Sequence, residues 1–325
     1  MKIMVQWMKK FLFSLLLLML ILVVGEVVCR CLLHEDPWPY GMLDERNTIY
    51  HFHSLLGWFP DANINVQWKT PVNRYFFVRS NDLGFRDRMH FKQQNKPRIV
   101  VMGDSFVWGY DSEVSERWTD ILQQRYPEIE FFNLGVSGYG TDQELILARE
   151  YLPLLRPDVI ILLFNRTDYQ DNSTNVNYHY YYKPYFTFDD SKKLKLAGVP
   201  VGKSIIFYYA KMPVLVRRLF EGSYLFKGIF KFVMTRFYQP SHFSDPSLRL
   251  IIAFKNLSSD LSANFLLASV DKNRSLSEFS RENDIAFLEI NCPDEYFIGG
   301  HWNAQGNKCA AEKFEKIISQ LNIKH

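Results

Sequence analysis

Ser105 stands in the segment Gly103-Asp104-Ser105-Phe106, directly after a run of β-branched residues, RIVVM at 98–102. A serine that leaves a buried strand through a tight turn and opens a helix sits where backbone N–H groups and the helix dipole favour a negative oxygen. An acyl-transfer nucleophile needs that placement, although the same tripeptide also reads as an Asp/Ser helix cap. Near the other end of the chain, His301 lies in GGHWNAQGN. A histidine bonded to a serine hydroxyl can take its proton near neutral pH; the plainer reading, for one of eight histidines, is a structural or exposed side chain. Gly138, in NLGVSGYG, offers an N–H with no side chain in the way, the donor type of an oxyanion hole, or simply turns the chain.

These residues have chemical meaning only if the fold brings them together. The predicted strand at 98–102 is followed by a helix at 115–125, a strand at 130–134, a helix at 141–155 and a strand at 158–164. Alternating strands and helices predict a parallel sheet with right-handed crossovers. Such sheets bind ligands beyond the carboxyl ends of their strands, where Ser105, Gly138 and Asn165 all fall. The pattern resumes with a helix at 248–261, a strand at 264–270, a helix at 275–282, a strand at 285–290 and a closing helix at 304–321. His301, between the last strand and that helix, approaches the same sheet edge.

The domain plan has three parts: residues 1–33 as a cytoplasmic stub and anchor, 34–96 as a loop-rich lead-in, and 97–325 as the α/β domain with an insertion at about 169–246. The insertion holds a Tyr-rich stretch (NYHYYYKPYF) and an apolar-basic one. It could cover the site, touch a membrane surface, bind sugar rings, or only pack into the core.

Residues 11–25 (FLFSLLLLMLILVVG) carry no charge and follow Lys2, Lys9 and Lys10. This pattern predicts a membrane-inserting helix, uncleaved because no small-residue cleavage site follows; the competing reading is a secretory signal peptide. Basic residues before the run place the N-terminus in the cytoplasm and the body outside, periplasmic or at the cell surface. With a net charge of +3 and scattered basic residues, no nucleic-acid partner is expected. No Cys/His spacing calls for a metal, and no cofactor is expected. Cys292 and Cys309 flank His301 and could form a disulfide or remain two buried thiols.

Taken together, LLGWFPDANINV, SNDLGFRD, RIVVMGDSFVWGY, FFNLGVSGYGTDQE, RPDVIILLFNRTDYQDN and GGHWNAQGNKCAAEKF resemble the SGNH/GDSL hydrolase family, in its bacterial membrane-anchored type, over residues 56–321. The resemblance implies a flavodoxin-like α/β/α sandwich with Ser105 as nucleophile, Gly138 as an oxyanion donor and His301 as base. Two departures stand out. The family's oxyanion Asn, usually followed by Asp, aligns on Thr167, with Asn165 two residues earlier; either could donate. The family's Asp shortly before the His is replaced by Ile298, Gly299 and Gly300, leaving Asp294 as the expected ring-orienting carboxylate, Glu295 next to it, or a backbone carbonyl in a Ser-His dyad. The implied activity is a serine esterase or O-acyltransferase acting on acyl esters, including those of extracytoplasmic glycans. The alternative is a catalytically impaired binding or assembly protein in envelope polysaccharide handling.

Overall fold

The computed structural model describes residues 2–33, 35–37, 44–70, 74–88, 96–177 and 179–318. The chain forms two units, residues 1–44 with 205–239, and residues 45–204 with 240–325. The smaller one opens with α1 (Lys2–Leu32), and none of its most apolar window is buried.

The larger unit is built on a parallel sheet of β1 (Arg98–Gly103), β2 (Glu130–Asn133), β3 (Val159–Phe164) and two later strands. A four-residue helix, α2 (Ser105–Trp108), leaves β1; α3 (Trp118–Arg125) leads to β2, and α4 (Thr141–Leu155) to β3. The chain then passes through the smaller unit as α5 (Val214–Gly222) and α6 (Tyr224–Phe237). It returns with α7 (Ser247–Asp260), β4 (Asn264–Ser269), α8 (Arg274–Glu282), β5 (Ala286–Glu289) and α9 (Ala304–Ile318). The closing helix was expected to reach 321; 319–321 lie outside the described residues, as do 38–43, 71–73 and 89–95 of the lead-in.

The strand order is β2-β1-β3-β4-β5, all parallel. That order is the flavodoxin-like one, and its switch point lies between β1 and β3. Because side chains alternate across a strand, Ile99, Val101, Ile161 and Leu163 point to one face, joining Trp118, Leu122, Phe314 and Ile318 of α3 and α9 in one core. The alternate residues Val100, Met102, Ile160 and Leu162 are equally buried toward the face where α4 and α7 pack. Strands covered on both sides must be apolar where they are covered, as Ile99 to Met102 of β1 and all of β3 are.

The lead-in contributes two hairpins, Tyr50–His53 with Gly57–Pro60 and Asn65–Lys69 with Tyr75–Arg79. It also sends charged side chains into the interior: Glu45, Arg46 and Arg86 are buried.

Candidate active site

The site starts where β1 ends. Asp104 caps α2, its Oδ1 accepting the Phe106 N–H at 2.9 Å, and so fixes the turn that presents Ser105. Ser105 is the first residue of α2 and its N–H has no carbonyl behind it in the helix to bond. The helix lasts one turn because Gly109, at φ 83°, ends it in the left-handed conformation that glycine adopts without strain. Buried Arg86 of the lead-in then ties down the carbonyls beyond: its guanidinium donates to Gly109 O at 2.6 Å, Ser112 O at 2.7 Å and Phe77 O at 2.9 Å.

The His301 segment is delivered from the far end of the chain. Asn307 on α9 donates to Ser112 Oγ at 3.0 Å and to Trp302 O at 3.2 Å, so the turn after α2 and the histidine strand share one bonded knot. Cys292 and Cys309 form a disulfide across this segment, with Cα atoms 6.2 Å apart. The result is a 2.8 Å contact between His301 Nε2 and Ser105 Oγ. The imidazole lies between two rings of the nucleophile segment, Tyr110 at 4.6 Å and Phe106 at 5.4 Å between centroids.

On the opposite side of the ring, Nδ1 is 3.5 Å from Asp111 Oδ2. This is longer than a good hydrogen bond. Neither His301 Nδ1 nor the second Asp111 oxygen has another partner among the described residues, and Asp111 is 1% exposed. Two facing buried orphans gain by closing the gap, and such contacts tighten when a substrate is bound. The expectation that Asp294 orients His301 is corrected here: Asp294 is exposed in a short 3-10 turn at Asp294–Tyr296, and the carboxylate within ion-pair distance is Asp111. Nothing in the sequence around the histidine points to Asp111. The carboxylate comes instead from the turn after the serine, at φ 62°.

Gly138, at φ 77°, lies in the turn that follows β2, and Asn165 stands directly after β3. A side chain at position 138 would overlap the Arg46 guanidinium, which itself lies over the rings of Trp58 and Tyr181. Glu45 beside it accepts from Ser137 Oγ at 2.6 Å and from Tyr110 at 3.4 Å, so the lead-in forms one wall of the site, which its sequence did not reveal. Asn165 donates through Nδ2 to Asp104 Oδ2 at 3.0 Å. Thr167, the other candidate donor, is exposed and makes no capping bond at the start of the short helix Asp168–Asp171. The structure therefore brings Asn165, and not Thr167, to the nucleophile turn.

Behind the turn lies a buried acidic group. Burial pushes the Asp104 carboxyl up, against hydrogen bonds from Asn165 and Phe106 that favour the anion. Burial also raises Asp168 and Glu144 well above the carboxylate range, helped by neighbouring acids. Both Glu144 oxygens lack a hydrogen-bond partner among the described residues. Asp171 is pushed up to about 7 by burial, with Lys183 opposing. Lys183 is paired with Asp142. Among the described residues no group of three or more His, Cys, Asp or Glu could hold a metal ion.

The chain thus places a serine at the mouth of a 2-1-3-4-5 parallel sheet, bonded to a histidine from the last loop, with Asn165 bonded to the adjacent Asp104. It is the placement that the resemblance to SGNH/GDSL hydrolases implies. No family model matches the chain, and no curated protein matches it. Among solved structures it is similar to a lipolytic G-D-S-L family protein from Veillonella parvula, with 13% identity over 69% of this chain and 99% of that one and a TM-score of 0.40. A psychrotrophic esterase from Pseudoalteromonas is 11% identical over 69% of this chain and 98% of that one, with a TM-score of 0.40. An acetyl-xylooligosaccharide esterase from Geobacillus is 13% identical over 72% of this chain and 100% of that one, again at 0.40. These likenesses are distant; the fold rests on the strand order and the site on its own distances.

Proposed function

We propose that this SGNH/GDSL-type chain is a serine esterase or O-acyltransferase held at a membrane by α1, with its N-terminus in the cytoplasm and its larger unit outside. The observation that carries the reading is the 2.8 Å contact of Ser105 Oγ with His301 Nε2, backed by Asp111 on the other ring nitrogen.

In this mechanism Ser105 Oγ attacks the acyl carbonyl while its proton passes to His301 Nε2. Asp111 holds the ring and stabilises the imidazolium that forms. The carbonyl oxygen becomes an oxyanion that receives the N–H groups of Ser105 and Gly138 and the second amide hydrogen of Asn165, whose first goes to Asp104. The tetrahedral species collapses, the ester oxygen leaves with the proton from His301, and the acyl group remains on Ser105. Water then releases it as a carboxylic acid, or a sugar hydroxyl takes it as a new ester. Acylated extracytoplasmic glycans are the substrate class of this reading, because an enzyme tethered outside the membrane works among them.

The test uses the full chain in detergent micelles with p-nitrophenyl acetate and a fluorophosphonate probe. Release of nitrophenolate and labelling, both lost in Ser105→Ala and in His301→Ala, are expected. Equal rates from Ser105→Ala and the parent would overturn the reading.

A further inference from the structure

Within the smaller unit, α5 is anomalous for its composition. Its sequence, VLVRRLFEG, is mostly apolar, yet none of its residues is buried. Leu215 is 73% exposed and Leu219 66%; four residues apart, they share one face of the helix. Exposed Arg218 lies beside them, and Arg217 bonds back to Ala210 O and sits 3.8 Å from Glu221. Phe220 stacks on Phe226 of α6 with ring centroids 4.0 Å apart, but Val214, Leu215, Val216 and Leu219 all stay exposed, and the question is what covers them.

The level at which α5 ends is fixed by α1. The charge-free run of α1 stops at Glu26, and Glu26 caps the start of α6: its carboxylate accepts from Ser223 Oγ at 2.8 Å, Tyr224 N at 3.1 Å and Leu225 N at 3.0 Å. Arg30, one turn further on, donates to Gly222 O, the last residue of α5, at 2.7 Å, and bonds Glu26 at 2.6 Å. Lys227 of α6 pairs with Asp36 beyond the end of α1 at 2.5 Å, so α6 climbs alongside α1, away from its apolar run. If α1 crosses a bilayer, Glu26 and Arg30 must lie at its polar boundary, since charged side chains are costly in hydrocarbon. The carboxyl end of α5 is bolted to those two residues and is therefore at the boundary too.

We infer that α5 is an interfacial helix that lays Leu215 and Leu219 into the outer leaflet beside the emerging end of α1, with Arg218 facing lipid phosphates. A short helix with an apolar face and basic residues at its edge suits the boundary between headgroups and acyl chains, and arginine binds phosphate oxygens through several donors at once. The occupant of the exposed face is the phospholipid surface itself. The inference rests on reading α1 as a membrane span and is independent of the chemistry at Ser105.

The test places an environment-sensitive fluorophore on single cysteines in the full chain, with Cys29 and Cys31 changed to Ser and the disulfide left intact. The sites are Leu17→Cys in α1, Leu215→Cys and Leu219→Cys in α5, and Ser191→Cys as an exposed control in the larger unit. The protein is reconstituted in phosphatidylcholine vesicles containing a minority of phosphatidylglycerol, with spin-labelled lipids carrying the quencher near the headgroup or near the bilayer centre. The Leu17 label is expected to lose most of its emission to the deep quencher, the Leu215 and Leu219 labels to the shallow one, and the Ser191 label only to aqueous iodide. If Leu17 is quenched while the α5 labels behave like Ser191, the span stands and the interfacial helix is overturned. If Leu17 is not quenched by either lipid, the span falls and the inference with it.

Discussion

Asp111 Oδ2 lies 3.5 Å from His301 Nδ1, on the side of the ring opposite Ser105, although 190 residues separate the two in sequence. The carboxylate that sequence reading sought just before the histidine comes instead from the turn just after the serine. Asp111→Asn is expected to lower kcat on p-nitrophenyl acetate by roughly 10²-fold or more, with KM unchanged within about two-fold, because the amide favours the wrong ring tautomer. Asp111→Glu should recover part of the loss. Asp294→Asn should leave kcat within about two-fold of the parent. Steady-state kinetics on the three variants checks the assignment, and a larger loss from Asp294→Asn than from Asp111→Asn would refute it.

Gly138 sits at φ 77°, and a Cβ there would overlap the Arg46 guanidinium. Gly138→Ala is therefore expected to destabilise the larger unit by about 1 kcal/mol or more, from backbone strain alone. Displacing the N–H proposed as an oxyanion donor should lower kcat by about 10²-fold as well. Thermal unfolding and kinetics on the same preparation separate the two effects, and Thr167→Ala, at an exposed position, should alter neither.

Glu144 gives a pH signature. Burial and nearby acids raise its folded pKa above the unfolded value, so the folded state prefers the protonated carboxyl. Stability from this group is fully present below the ordinary glutamate range and is lost as pH rises from there through the raised folded pKa. Glu144→Gln cannot ionise. It should match the parent near about pH 4 and exceed it by at least about 1 kcal/mol near pH 8; scanning calorimetry at the two pH values reads the difference.

The disulfide across the His301 segment joins positions 17 residues apart. Loop-closure entropy gives such a link about 3 kcal/mol. Replacing both Cys292 and Cys309 by Ser should lower the unfolding midpoint of the larger unit and abolish its response to reductant. An unchanged midpoint in the double variant would show that the bonded knot at Asn307 alone holds the segment.

Periodicity made the sheet legible. Apolar runs such as VIILLF became strands covered on both faces, and helices such as Thr141–Leu155 came out at their expected limits. The nucleophile turn was equally readable, because a strand, a glycine and a helix cap are all local. What escaped were contacts between distant segments. Glu45, Arg46 and Arg86 belonged to a stretch read as loop-rich, yet their burial beside Ser137, Gly138 and Gly109 follows from tertiary packing that no spacing encodes. Thr167 and Asn165 were indistinguishable in sequence because the choice depends on which side chain the end of β3 turns inward. Asp111 was hidden for the same reason, since a left-handed turn residue carries no pattern announcing what it faces.

Ser105, the ring wall of Phe106 and Tyr110, and Asp111 all ride on one short peptide that Arg86 clamps at its carbonyls. Their mutual distances are thus set locally, and a shift of that peptide carries them as a body. Only one tolerance has to be kept across the rest of the molecule, the arrival of a single imidazole from the far end of the chain. In the proposed mechanism, with Asp111 as the acid, the residues immediately before the imidazole need none, and two exposed glycines, Gly299 and Gly300, can stand there. On that reading, a search that insists on an acid beside the histidine in sequence would pass over chains that carry it beside the serine.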